Sequence, residues 1–234
     1  TVLEQSYPKV DATEESLGNL NDPQEVEAFL DELIPRQLRD HRIAGAGVAV
    51  VAGGELLLAK GYGYADVASE QTVLAEKTLL RTDSTGKLFV WTAVMQLVEA
   101  GKLHLDADIN TYLDFQIPPT FPEPITLNHL MSHSAGFDDQ GYLYSLDSTN
   151  IEPPGIWLAN NIPDRIRPPG VVTAYSNYGT ALAGYIVERI SVFSFEHYVE
   201  EHIFKTLGME TSTFRQPLPE ELAAHASINY SNND

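Results

Sequence analysis

The sequence predicts a mixed α/β (α+β) fold, and three observations carry that expectation. Apolar residues recur at helical spacing near 22–38, 86–100 and 177–190. Two β-favouring runs flank Gly53-Gly54, the signature of a tight hairpin. Of the 234 residues, 43% are hydrophobic, enough for one large core or two small ones.

Residues 1–21 are polar and read as an arm. Asp22-Pro23 then supplies an N-cap and a first helical position, followed by Val26, Phe29, Leu30, Leu33, Ile34 and Leu38 on a helical stripe that Pro35 is expected to kink. The hairpin "GAGVAVVAGGELLLAKGYGYAD" completes a region spanning 22–75. A mainly helical region spans 76–214. Its first helix covers about 86–100, with Leu88, Trp91, Met95 and Val98 as the expected buried stripe and Gly101 just past its end. The Asp- and Pro-rich "LHLDADINTYLDFQIPPTFPEP" reads as irregular. Thr126 caps a short helix, "LNHLMSH". A further helix, "SNYGTALAGYIVERI", places Leu182, Ile186 and Ile190 on one face, and another lies near 194–206. The tail 215–234 is weakly patterned.

Composition excludes several function classes. With 33 Asp+Glu against 14 Lys+Arg, the formal charge is −19, which disfavours nucleic acid or an anionic membrane as partner. The absence of cysteine removes disulfides, thiolate metal sites and cysteine nucleophiles. No apolar run reaches the roughly 18 residues of a membrane helix. The histidines show no ligand spacing such as H-E-x-x-H, so neither metal nor cofactor is expected. A chain numbered from Thr1 without a methionine or leader fits a processed protein or a trimmed piece, and leans towards a secreted or periplasmic setting.

"RTDSTGKLFVWTAVMQLVEAG" raises the chemical question. A lysine on the first turn of a helix sits against the macrodipole, so packing or chemistry must make up for it. Ser84 and Lys87 are three apart and share a face. A neutral amine there can take the serine proton, and the free N–H groups of the helix mouth favour the negative charge of a tetrahedral intermediate. The bland alternative is an ordinary cap region for Ser84 and a solvated side chain for Lys87. S-x-x-K arises roughly once by chance in a chain of this size. Ser6 to Lys9 indeed repeats it, in the polar arm with no apolar helix after it.

"PPGVVTAYSNYGTALAGYIVERI" offers a second pair. The phenol of Tyr175 beside a lysine can relay a proton, and the carboxamide of Asn177 can orient the lysine or hold a substrate carbonyl. Alternatively Tyr175 packs in the core and Asn177 caps the helix. A second "YSN", at Tyr230, lies in a tail with no helix after it.

With Ser84-x-x-Lys87 and Tyr175-x-Asn177 in place, the chain resembles the β-lactamase-related serine hydrolases. This group includes class C β-lactamases, penicillin-binding carboxypeptidases and family VIII-type esterases. The likeness runs from about Ala44 to Phe214 and includes "LVEAGKLHLDADINTYL", "ITLNHLMSHSAGF" and "IFKTLGMETSTF". It implies a β-lactamase/transpeptidase-like fold, a helical subdomain carrying Ser84 and Tyr175 packed on an antiparallel sheet. It also implies Ser84 as acyl-accepting nucleophile, Lys87 as general base, Tyr175 in proton relay and Asn177 in substrate binding, with small esters, amides or peptides as substrates. His133-Ser134-Ala135-Gly136 matches a structural turn of the family, with His133 a buried hydrogen-bonding residue.

Two departures stand out. The residue before the nucleophile is usually small, often glycine, whereas here it is Asp83, whose carboxylate works against a developing oxyanion. The family's third motif, a Lys- or His-x-Gly strand, has no counterpart: "HAS" at His225 and "FKTLG" at Lys205 lie outside any strand pattern. The resemblance therefore implies that the C-terminal strands are missing from this chain, and that a second chain or a cleaved C-terminal fragment completes the sheet and oxyanion hole. The rival reading, on the same departures, is an inactive family member used for binding or scaffolding.

Overall fold

The computed structural model of the chain describes residues 19–138 and 152–230. The Ser6–Lys9 repeat of the motif lies outside them. The chain divides into two compact units, one of Thr1–Arg81 with Ala223–Asp234, the other of Thr82–Leu222.

In the first unit, α1 (Pro23–Asp40) starts where Asp22 accepts a hydrogen bond from the Gln24 N–H, with Pro23 in the first turn. The helix runs on through Pro35 to Asp40. It buries Val26 and Leu30 against Tyr62, with Ile34, Leu38 and Val48 packed around them, whereas Phe29 turns outward. Lys60 Nζ reaches Glu27 at 2.6 Å, and the Tyr62 hydroxyl donates to Asp31 at 2.9 Å, so the helix is tied to the strand beneath it. Burial, and then the Asp31 carboxylate, push the Tyr62 phenol up to about 12.

Strands β1 (Gly45–Ala52) and β2 (Glu55–Asp66) form the expected antiparallel hairpin, in register from Gly45↔Gly63 to Ala52↔Glu55 with an irregularity at Val50/Val51. Gly53 and Gly54 have φ of 61° and 86°, as a two-residue primed turn requires of both positions. The short β3 (Gln71–Thr72) pairs with the end of β2, completing a three-stranded sheet in the order β1-β2-β3. The segment around His225 forms no strand, as expected, but it is tied in by an isolated bridge: the Leu79 N–H donates to the His225 carbonyl, the Ser227 N–H donates to the Leu79 carbonyl, and Leu79↔Ala226 pair in parallel. Tyr230 binds Asp66 and the Val67 N–H through its hydroxyl, so the second "YSN" tyrosine is an anchor of this unit.

In the second unit, a 3-10 turn (Asp83–Gly86) leads into α2 (Lys87–Glu99). The expected stripe on α2 is corrected in part: Trp91 and Val98 pack against the core, but the other two members do not. Leu88 and Met95 are 61% and 43% exposed, while Val90, Ala93, Val94 and Leu97 are buried. Apolar residues surround this helix on nearly every side, so its periodicity alone does not select the inward face. Gly101, with φ of 69°, ends the helix as expected. The buried face packs against α5 (Asn177–Ser191), through Leu182, Ile186 and Val187, which are almost fully buried. The short helices α3 (Leu127–Met131) and α4 (Pro154–Asn160) flank α5. Thr126 caps α3 in a reciprocal pair with His129. The helix expected near 194–206 is α6 (Phe195–Val199), a π-helical turn (Glu200–Phe204) and α7 (Lys205–Leu207), and Gly208 in the left-handed conformation ends it.

Candidate active site

The site forms where the 3-10 turn hands over to α2. In a 3-10 turn, side chains three apart eclipse, so Ser84 and Lys87 are brought onto one face. Lys87 Nζ lies 3.2 Å from Ser84 Oγ. Ser84 is not an N-cap: Thr82 and Gly86 occupy the N-cap positions of the turn and of α2, and neither makes a side-chain capping bond. Tyr175, 91 residues further on, donates its hydroxyl to the same Ser84 Oγ at 2.7 Å. Lys87 Nζ also sits 4.9 Å from the centre of the Tyr175 ring, close enough for a cation–π contact. Three of the four residues singled out from sequence therefore meet around one oxygen. Ser84 is exposed and Lys87 half-buried.

Tyr175 does not pack in the core; it is 53% exposed. Asn177 is the first residue of α5, and the cap is its neighbour Ser176, whose Oγ accepts from the Gly179 N–H at 2.9 Å. Asn177 thus stands one residue inside the helix, half-buried and two residues from Tyr175, and its carboxamide makes no hydrogen bond to Ser84 or Lys87 among the described residues.

Asp83 has φ of 43°, the left-handed region that glycine adopts without steric cost. Asp is among the side chains that tolerate it best. Among the described residues Asp83 makes no ion pair with Lys87.

One contributor stands out from sequence only as part of a turn. His133 packs against Tyr175 in a tilted pair, ring centres 4.6 Å apart, and meets Trp91 of α2 edge-on at 6.1 Å. Burial, and then the nearby Lys87 ammonium, hold its pKa below the ordinary histidine range. The "HSAGF" motif is the signal in the sequence that marks it. No group of His, Asp or Glu is arranged to hold a metal ion among the described residues.

Comparison with known proteins fits this geometry. The β-lactamase family model matches residues 30–234. The chain belongs to the β-lactamase family. It is 29% identical over 193 residues to the putative penicillin-binding protein PbpX of Bacillus subtilis, covering 82% of this chain and 46% of that one. The octameric penicillin-binding protein homologue from Pyrococcus abyssi superposes with a TM-score of 0.76 at 28% identity, covering 88% of this chain and 48% of that one. A class C β-lactamase shares the fold, with a TM-score of 0.71 at 23% identity over 90% of this chain and 56% of the other. The fold is thus β-lactamase/transpeptidase-like, as the family resemblance implied. The chain spans less than half the length of the curated relatives it matches, Protein flp of Staphylococcus aureus included at 38%. A second, different chain finds no support in these comparisons; the assembly named among them is the octamer of the Pyrococcus homologue.

Proposed function

We propose that the protein is a serine hydrolase that works through an acyl-enzyme on carboxylic esters or small amides and peptides. The observation that carries this reading is the convergence of Lys87 Nζ and the Tyr175 hydroxyl on Ser84 Oγ. In the reacting form Lys87 has given up its own proton, and the amine accepts the Ser84 proton as Oγ attacks the carbonyl carbon. Backbone N–H groups at the helix mouth favour the resulting oxyanion. The bond to the leaving group breaks as Tyr175 relays a proton to it, leaving an ester on Ser84. Water then attacks that ester with the same groups in reverse, and a carboxylic acid departs. Asn177, at the entrance of α5, holds the substrate carbonyl or amide. Membership of a family that acts on small ester, amide and peptide bonds supports the substrate class.

A binding or scaffolding role is the second reading, and the Asp83 carboxylate, held beside the nucleophile on a left-handed backbone, favours it. Intact-mass analysis after treatment with a fluorophosphonate or a penicillin separates the two. The hydrolase reading expects a single adduct on Ser84, lost in Ser84→Ala, and a fall of at least ~100-fold in ester turnover for Lys87→Ala. Turnover retained in Ser84→Ala, or no adduct at high probe concentration, refutes it.

A further inference from the structure

We propose that His133 is a positioning residue that fixes the Tyr175 ring against Ser84 by holding residues 174, 175 and 176 together. The inference rests on the hydrolase reading for its catalytic consequence, but its geometry stands apart from it. The Ala174 N–H donates to the His133 carbonyl at 2.7 Å. The Ser176 N–H donates to His133 Nδ1 at 3.3 Å. Between them, the Tyr175 ring packs against the imidazole at 4.6 Å with the two planes tilted by 39°. One residue therefore grips the backbone on both sides of Tyr175 and the side chain in the middle.

Such a grip is needed here. Tyr175 precedes α5 and is half exposed, so its ring is positioned by contacts such as these rather than by burial in the core. A misplacement of about 1 Å at a reacting group can cost roughly 100-fold in rate. His133 is itself held in an uncommon conformation, with φ of 53°, just past the end of α3. Strain of that kind persists only where the surroundings enforce it. Nearby, the Ser134 N–H donates to the His129 carbonyl and the Gly170 N–H to the Ser134 carbonyl, which locks the turn.

The clamp requires a neutral imidazole. Nδ1 accepts the Ser176 N–H, so the ring proton sits on Nε2. Protonation would set a donor against a donor and a second cation near Lys87. The charged or titratable groups that face the ring are Lys87 from α2 and Tyr175 from the segment before α5; Trp91 of α2 is neutral. Burial and Lys87 both oppose protonation.

A double-mutant cycle in the intact protein tests the proposal, with the rates of fluorophosphonate labelling of Ser84 (phosphonylation with loss of fluoride) and of acylation by p-nitrophenyl butyrate, and ester kcat and KM, as readouts. His133→Ala should slow acylation ~10- to 100-fold with KM changed less than kcat. In a Tyr175→Phe background the same change should do almost nothing further. His133→Asn, which restores an acceptor for Ser176 but no ring, and His133→Phe, which restores the ring alone, should each recover part of the rate. Additive effects of His133→Ala and Tyr175→Phe would overturn the proposal. Independently of activity, NMR of ring-labelled tyrosine should show the Tyr175 resonance move to that of a rapidly rotating ring in His133→Ala. An unchanged resonance overturns the clamp even if Ser84 is acylated. An unlabelled Ser84 in the parent sinks the hydrolase reading instead, and the clamp is then judged by the tyrosine resonance.

Discussion

Replacing Asp83 separates two effects that coincide at the residue before Ser84. Its φ of 43° lies in the left-handed region. That region costs an ordinary residue about 1–2 kcal/mol, and Asp or Asn somewhat less. Glycine avoids the steric cost but gives up about 0.4–1 kcal/mol through the greater freedom of its unfolded chain. Asp83→Gly should therefore stay within about 1 kcal/mol of the parent, and Asp83→Ala should be about 1 kcal/mol less stable than Asp83→Gly. The carboxylate adds a separate electrostatic effect. At roughly 6 Å from the developing oxyanion, with an effective dielectric of about 40–80 for an exposed group, one charge is worth roughly 0.7–1.4 kcal/mol, or about three- to tenfold in rate. Asp83→Asn keeps the backbone tolerance and removes only the charge, so it should be faster by that factor at low salt, and less so at high salt. Urea unfolding and initial rates on p-nitrophenyl butyrate at two ionic strengths measure both effects. Equal stability of the Ala and Gly variants would refute the backbone argument. An Asn variant no faster than the parent at low salt would refute the electrostatic one.

Packing and titration of the fold give three further outcomes. Tyr178 is 1% exposed and donates its hydroxyl to the Leu158 carbonyl at 2.8 Å, so Tyr178→Phe should lower stability by about 1–3 kcal/mol in urea unfolding through the orphaned acceptor. A Cβ on Gly61 would run into the Val73 carbonyl group, so Gly61→Ala should destabilise the hairpin region by about 1–3 kcal/mol, read as faster amide exchange in β2. Burial lowers the pKa of both His129 and His133 in the folded state, so the unfolded chain binds more protons as pH drops below about 6.5. Their contribution is complete above that pH and is lost as pH falls towards the depressed folded values. The urea midpoint should decline on acidification through this window, and replacing either histidine by Asn should flatten the decline; an unchanged slope would contradict the assignment.

The features legible in the sequence are local ones. Asp22 and Pro23 start α1, and Gly53-Gly54 turns the hairpin, because caps and primed turns depend on two or three neighbouring residues. The inward face of α2 is not legible, because Leu88 and Met95 have the same apolar character as the buried Val94 and Leu97, and only the position of α5 distinguishes them. The site is legible in a different way. Ser84 and Lys87 are one turn apart, so their meeting follows from helical geometry, whereas the 2.7 Å bond from Tyr175 crosses 91 residues and is reached only through family resemblance.

Context also separates the two "YSN" copies. Tyr175 precedes a helix whose cap, Ser176, accepts from the Gly179 N–H, which fixes the direction in which the chain enters α5. Tyr230 precedes no described helix, and its hydroxyl is engaged by Asp66 and Val67. The tyrosines of the two copies thus have different partners, Ser84 for Tyr175 and Asp66 for Tyr230. The grip of His133 is hidden for a related reason: two of its three contacts are to backbone groups, at Ala174 and Ser176, whose donors every non-proline residue carries. No side-chain pattern can announce a contact of that kind. A histidine just past the end of a short helix becomes a clamp only when the chain returns, some forty residues later, with a tyrosine between two backbone N–H groups that it can hold.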